Sequence, residues 1–289
     1  MFKIEYDNKD FIAIMRSLAS ICAELVLEIN DEGAKIRNVS ANTEVAVTVD
    51  MDKDDHKAFE YDGKNSTFMT IPYGEYLKSM KKIKVPVNFT ESGKSAVIFQ
   101  SGKVKYVLQL LDEDPDIYAN HDIITKKFVK DKRTHIKLSS ADVISLVDQL
   151  SIADAMNIKI ENKTIFFESL TGNLTAGYEF EVDVPDTFKW ETAFSMVYME
   201  LLAKLAVYTK ELNLYLDIPA SPDDDVPPII VEMDVSANSS VKLIIGTLDK
   251  DAAAGVGVDI LEEDEEDTDL EEDDFDFEED DSFYEEDDE

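Results

Sequence analysis

The sequence predicts an α+β protein of two similar domains. Each domain holds two helix-plus-strands repeats, with the helices on one face of antiparallel sheets. Three observations predict this. Four short stretches show helical apolar periodicity, and each is followed by alternating sequence broken by a turn. The four copies recur at near-regular spacing along a chain of 289 residues.

The first helix is expected from Asp10 to Cys22, where Phe11, Ile14, Met15, Leu18, Ile21 and Cys22 form one stripe. The second runs from Tyr73 to Lys82. The third, Ser140 to Leu150, carries Val143, Leu146, Val147 and Leu150. The fourth, Met196 to Ala206, carries Tyr198, Leu201, Leu202 and Leu205. Their starts lie 63, 67 and 56 residues apart. After the first helix come ELVLEI, the turn at Asn30–Gly33, AKIRNVS and EVAVTVDM. After the second come VPVNFT, a turn at Glu91–Gly93, SAVIFQS and VKYVLQLL. After the third come MNIKIE, a turn at Asn162-Lys163, TIFFESL and AGYEFEVDV. After the fourth come LNLYLDI, a proline-rich loop from Ser221 to Pro228, IIVEMDV and VKLIIGTL.

A lead-in strand precedes the first and third helices, FKIEY and THIKL, so the larger period is half the body. The domains are expected at 1–114 and 126–249. Between them, DEDPDIYANHD (Asp112–Asp122) has a proline, many acids and no periodicity, so 115–125 reads as an exposed connector. Residues 250–289 are an acidic tail, expected to be disordered because it has too few apolar residues to offset the entropy of ordering.

The net charge of -36 is unevenly placed. Asp259–Glu289 holds 22 acids and no base, leaving 42 acids against 28 bases in the rest. Such a chain repels nucleic acid at long range unless bases gather on one surface. They gather on the helix faces opposite the apolar stripes: Lys9 and Arg16 on the first, Lys78, Lys81 and Lys82 on the second with Lys84 just beyond, and Lys204 on the fourth with Lys210 after it. Ordinary solvated faces explain this equally well. A phosphate-tracking surface without base readout is the functional reading. The third helix offers Asp142 and Asp148 instead.

No nucleophile, metal or phosphate signature is present, so no catalysis, metal or cofactor is expected. His56, His121 and His135 are scattered in expected loop or strand-edge positions without ligand spacing, and read as solvated or incidental. Cys22 is the only cysteine, which excludes an intrachain disulfide and fits a reducing compartment. No apolar run is long enough to span a bilayer, and the N-terminus lacks the basic-then-apolar layout of a signal peptide. A soluble intracellular protein is expected.

Three segments carry a resemblance: MFKIEYDNKDFIAIMRSLASICAELVLEINDEGAKIRNVS, HIKLSSADVISLVDQLSIADAMNIKIENKTIFFES, and FSMVYMELLAKLAVYTKELNLYLDI with VPPIIVEMDV and VKLIIGTL. In order, spacing and repeat phase, Met1 to Asp249 resembles the sliding clamp family of proliferating cell nuclear antigen. The resemblance implies the DNA-clamp fold and a trimeric ring encircling duplex DNA without sequence preference. Helices would line the hole, and the eight bases above would face DNA. It implies subunits joined by edge-strand pairing, through Lys103–Leu111 and Thr175–Glu181. It implies a processivity factor for DNA replication and repair, nuclear in a eukaryote, cytoplasmic in an archaeon, or virus-encoded. Its partners would be DNA polymerase, clamp loader, ligase and nucleases, bound through short apolar-aromatic peptides. The matching pocket positions are Val39, Val45, Pro228, Ile244, Ile245 and Gly246, with Asp116, Ile117 and Tyr118 in the connector stretch Asp116–Asn120. One departure is the segment Ser40–Glu44, which has one residue more than the family's turn.

Two other readings compete. The chain is a clamp-like heteromer subunit or viral processivity factor, or it is an acidic interaction protein acting through a DNA-mimicking tail. Phe275, Phe277, Phe283 and Tyr284 among the tail's carboxylates suit capture of a basic partner, against the plainer reading of a solubilising tail. A related expectation is autoinhibition, with these aromatics docking in the chain's own peptide pocket.

Overall fold

The computed structural model describes residues 1–248 apart from 7–8, 23, 64–66, 73–86, 93–95, 113–114, 132, 172–173, 220 and 222–225. The expected second helix, its lysines and the acidic tail lie outside the described residues.

The repeat is a lead-in strand, a helix and a three-stranded meander. Strand β1 (Phe2–Tyr6) leads into α1 (Lys9–Leu18) and the meander β2 (Glu24–Ile29), β3 (Gly33–Val39) and β4 (Val45–Asp52). Strand β5 (Ala58–Tyr61) follows, and β6 (Thr67–Pro72) precedes the second meander, β7 (Val87–Ser92), β8 (Ala96–Ser101) and β9 (Val104–Gln109). Helix α2 (Pro115–Lys127) links the halves. The second half then repeats the order: β10 (Thr134–Ser139), α3 (Ser140–Leu150) and β11 (Ala155–Glu161), β12 (Thr164–Thr171), β13 (Leu174–Glu181). It closes with β14 (Trp190–Ser195), α4 (Met196–Ala206), β15 (Glu211–Leu216), β16 (Ile229–Asp234) and β17 (Ser240–Ile245).

Each lead-in strand pairs with the other meander of its own half: β1 with β7, β6 with β2, β10 with β15 and β14 with β11. This exchange binds the two repeats of a half together. Among the described residues it gives three antiparallel sheets, ordered β5-β1-β7-β8-β9, β10-β15-β16-β17-β4-β3-β2-β6 and β13-β12-β11-β14. The eight-stranded sheet belongs to both halves, because β17 pairs with β4 from Ile245 opposite Val45 to Ser240 opposite Asp50. The molecule is therefore α+β with mostly antiparallel sheets.

Local chemistry explains the turns. Asn162 and Lys163 have φ of 53° and 62°, the paired left-handed residues of a two-residue hairpin whose twist matches its strands. Gly33 opens β3 at φ 155°, where a Cβ would collide with the Met51 carbonyl, so only glycine fits.

Helix α3 buries Val143, Leu146, Val147 and Leu150, and α4 buries Leu201, Leu202 and Leu205 among others. Helices α1 and α3 both pack against α4, giving a row α1–α4–α3. A stack of Phe89 on Phe99 at 4.4 Å anchors the core of the five-stranded sheet. Helix α1 is shorter than expected: it stops at Leu18, and Ile21 and Cys22 cap its last carbonyl from the following turn.

The connector corrects an expectation. Residues 115–127 form a helix, not an irregular crossing, and the helix runs past the expected boundary at 125. Proline at its first position costs no hydrogen bond and presets φ, so it starts the helix. Asp116 in the first turn and Lys126 and Lys127 in the last suit the helix dipole. Among the described residues no helix is long and apolar enough to cross a membrane.

Candidate functional site

Three surfaces hold the residues singled out in the sequence. The first is the helix row. Arg16 sits half-buried on α1, and Lys204 is exposed on α4, 3.6 Å from Glu200 one turn earlier. Lys210 is exposed just after α4, where its carbonyl accepts from the Ser140 amide. Lys9 opens α1. Asp142 and Asp148 lie on α3, so acids match bases along the described part of the row. Lys78, Lys81, Lys82 and Lys84 lie outside the described residues.

The second surface is a pair of sheet edges. Strand β9 ends the five-stranded sheet and β13 ends the four-stranded one. Both are the segments expected to face a neighbouring subunit. On β9, Val104 and Val107 are 48% and 50% exposed, an apolar edge with open ladder positions. On β13, Ala176, Tyr178 and Phe180 are half-buried and alternate with exposed Gly177, Glu179 and Glu181.

The third surface is the outer face of the eight-stranded sheet, where α2 docks. Ala46, Ile230 and Ile244 form a small cluster there, with Val39, Ile124, Phe128 and Tyr215 packed on it. Half-buried, Ile124 and Phe128 each contribute on the order of 1 kcal/mol. His121 pins the helix: it is 3% exposed, and its Nε2 lies 2.9 Å from Thr48 Oγ1 on β4. Beside it Arg37 pairs with Glu28 at 3.0 Å and reaches Asp122 at 3.7 Å. Burial, reinforced by the Arg37 guanidinium, pulls the His121 imidazole down to about 4, against the opposing pull of Asp122. The expectation of a solvated histidine fails here, because His121 sits on the helix face that meets the sheet.

The expected pocket residues divide. Val39 is half-buried on this outer face, and Ile244 is buried within its cluster. Ile117 and Tyr118 are half-buried on α2, and Asp116 is exposed at its start. Pro228 is half-buried, and its carbonyl accepts from Arg133 Nη1 at 2.6 Å. Gly246 is half-buried and donates to the Glu44 carbonyl at 2.7 Å. Val45 and Ile245 are wholly buried on the opposite, core face of the sheet, so they line no open pocket. Neighbours in a strand point to opposite faces, and Ala46 and Ile244 hold the outer positions instead.

The longer turn at Ser40–Glu44 is absorbed locally. Thr43 takes φ 61°, and Ser40 Oγ accepts from the Val45 amide at 3.0 Å. The Tyr198 hydroxyl of α4 donates to Glu44 Oε2 at 2.6 Å and accepts from Asn42 Nδ2 at 2.8 Å, tying the turn to the other half. Burial, then the Glu44 carboxylate, raises the Tyr198 phenol above its ordinary value.

Sequence reasoning missed His121, Arg37, Thr48 and Tyr198. One signal was present: Ile117, His121, Ile124 and Phe128 fall at helical spacing, with the histidine inside an otherwise apolar stripe. No protein-family model matches the sequence, and no curated protein matches it at a significant level.

Proposed function

We propose that the chain is a DNA sliding clamp: a ring of three copies that encircles duplex DNA and tethers replication and repair enzymes to it. One observation carries the reading. The seam inside the chain joins the last strand of the fourth repeat, β17, to the last strand of the first, β4. The last strands of the second and third repeats, β9 and β13, are left as sheet edges. Pairing β9 of one copy with β13 of the next reproduces the internal seam. The joined order would be β1-β7-β8-β9 against β13-β12-β11-β14, the counterpart of β6-β2-β3-β4 against β17-β16-β15-β10. Such a contact is head-to-tail, and a head-to-tail contact closes into a ring when the rotation permits.

The helix row α1–α4–α3 supplies the concave lining in this reading, with Arg16, Lys204, Lys210 and the lysines of residues 78–84 against the phosphates. The apolar face beside α2 takes the partner peptides. Retention comes from topology, and the lysine contacts are sequence-independent and salt-sensitive. Light scattering after size exclusion tests the ring, with the mass of three copies expected. A persistent monomer would sink the homotrimer and favour a heteromeric assembly. Loading tests the encirclement: retention on circular but not on short linear DNA is expected. Lys78→Glu, Lys81→Glu and Lys82→Glu together should weaken clamp-stimulated DNA synthesis, and undiminished stimulation would remove the lumen assignment.

A further inference from the structure

Among the described residues the sheets end on β5 and β9, β10 and β6, and β13 and β14. Two of these edges are covered by chain that follows a meander. The Leu111 amide donates to the Thr70 carbonyl on β6, and the Leu248 amide donates to the Ala193 carbonyl on β14, each at 2.9 Å. Strand β5 is only four residues long, and in the reading above β9 and β13 meet each other across copies. Strand β10 is different. It has six residues, pairs with β15 along one side, and meets no backbone partner on the other among the described residues. Its counterpart in the first half is closed: β1 pairs with β7 on one side and with β5 on the other, from Phe2 opposite Tyr61 to Glu5 opposite Ala58. The matching stretch of the second half, 182–189, is shorter and contains Pro185. It turns inward to bury Val182, Val184 and Phe188, so it makes no strand to close β10.

The phase of the ladder shows which groups are open. The Ser140 amide donates to the Lys210 carbonyl at 3.1 Å. Opposed residues of an antiparallel pair alternate between bonded and non-bonded, so Leu138, Ile136 and Thr134 exchange bonds with β15. The N–H and C=O groups of His135, Lys137 and Ser139 therefore face outward. The strand that carries them is firmly seated. Ile136 and Leu138 are buried, and the His135 ring stacks on Tyr215 at 4.9 Å with its Nε2 2.9 Å from Asn213 Oδ1. An edge held this way loses little freedom when a strand joins it.

We propose that β10 takes an extended, acidic segment of another protein as an added strand. Charge selects the acid. The strand and its approach carry Lys126, Lys127, Lys130, Arg133 and Lys137 against Asp131, on a body where acids outnumber bases. Lys137 pairs with Glu211 at 3.2 Å, but both side chains are 59% exposed, so a carboxylate from an added strand can share that ammonium at little cost. An incoming residue opposite Lys137 is its cross-strand neighbour on the outer face, where opposite charges attract and like charges repel. The same lysine sets β10 against a second copy of itself, because two strands with a base and no acid would meet. Incoming residues between the acids point to the inner side, beside Ile136 and Leu138, and suit Val or Thr. Because β10 has no part in the ring contact, the proposal stands or falls apart from the clamp reading.

Amide hydrogen exchange on the full-length chain tests the proposal, with a short peptide alternating Glu with Val and Thr as the probe. At millimolar peptide the His135, Lys137 and Ser139 amides should exchange at least five-fold more slowly. No slowing at these three amides would overturn the proposal. N-methylation separates a ladder from simple charge attraction. In the added strand the Glu amides point at β10 and the Val and Thr amides point away. Methylating the Glu nitrogens should therefore weaken binding at least ten-fold, and methylating the others should change it less than three-fold. Equal losses from the two peptides would overturn the added strand. Lys137→Glu should weaken the Glu peptide at least five-fold and favour a peptide with Lys in place of Glu; unchanged affinities would overturn the choice of an acidic partner. A single-stranded oligonucleotide of equal charge should leave the three amides unprotected, and protection by it alone would replace the peptide with a nucleic acid.

Discussion

Acidification should loosen the docking of α2 through His121. The imidazole is buried neutral against Thr48, and its folded value of about 4 compares with an ordinary 6.5. The groups facing it are Arg37 on β3 and Asp122 on its own helix, with Glu28 on β2 behind Arg37. Because the folded value is depressed, the unfolded chain binds the extra proton first. Stability is therefore complete above pH 6.5 and is lost as pH falls from there toward 4. Between pH 7 and pH 4.5 the loss from this one group is about 2–3 kcal/mol. The assay is urea denaturation at both pH values for the wild type and for His121→Gln, which keeps a hydrogen-bonding group near Thr48 and cannot titrate. Other groups contribute to both slopes, so the difference between slopes isolates His121. The variant is expected to lose about 2–3 kcal/mol less than the wild type over this interval. Equal losses would refute the claim that His121 is held neutral beneath the helix.

Other outcomes follow from single contacts. Gly33→Ala puts a Cβ against the Met51 carbonyl at a left-handed φ and should cost about 1–3 kcal/mol in thermal denaturation, so an unchanged melting temperature would contradict the turn geometry. Val107→Asp, at a half-exposed edge position, should leave the melting temperature within a few degrees yet reduce the light-scattering mass to one copy; an intact trimer would place the subunit contact elsewhere. Asp55→Ala removes the carboxylate that accepts from the Ser236 and Ser239 hydroxyls and should cost about 1–3 kcal/mol. Burial pushes the Asp55 carboxyl upward, but these hydroxyls and Asn238 outweigh it and hold it below its ordinary value. Its contribution is thus present above the ordinary carboxylate range and lost as pH falls through the depressed value. The wild-type advantage should shrink in acid, and an advantage that grew there would reverse the assignment.

The repeat was legible because α3 and α4 each bury one clean stripe, and their bounds fall where the apolar periodicity starts and stops. The Asn162-Lys163 hairpin and the strands β9 and β13 were legible from turn chemistry and alternation, but the place of β9 and β13 at sheet edges came only from the family resemblance. The connector helix was not, because it is weakly amphipathic and its proline reads as a breaker anywhere but the first position. The pocket faces were misread for a related reason. Val45, Ala46 and Val47 are all buried, since helices or α2 cover both sides of the sheet there, and an unbroken apolar run hides which residue faces which side. His121 and Tyr198 draw their roles from partners far away in sequence, Thr48 and Glu44, which no local pattern reports.

The pairing of β4 with β17 has a consequence for how the chain is born. Val45 leaves the ribosome some two hundred residues before Ile245, its partner. Until the last strand emerges, β4 has one side of its ladder open, and the nascent first half presents an unfinished sheet. Contact order is high, so folding should be slow and the waiting edge exposed to mispairing. Only synthesis of the final meander completes the central sheet of the molecule.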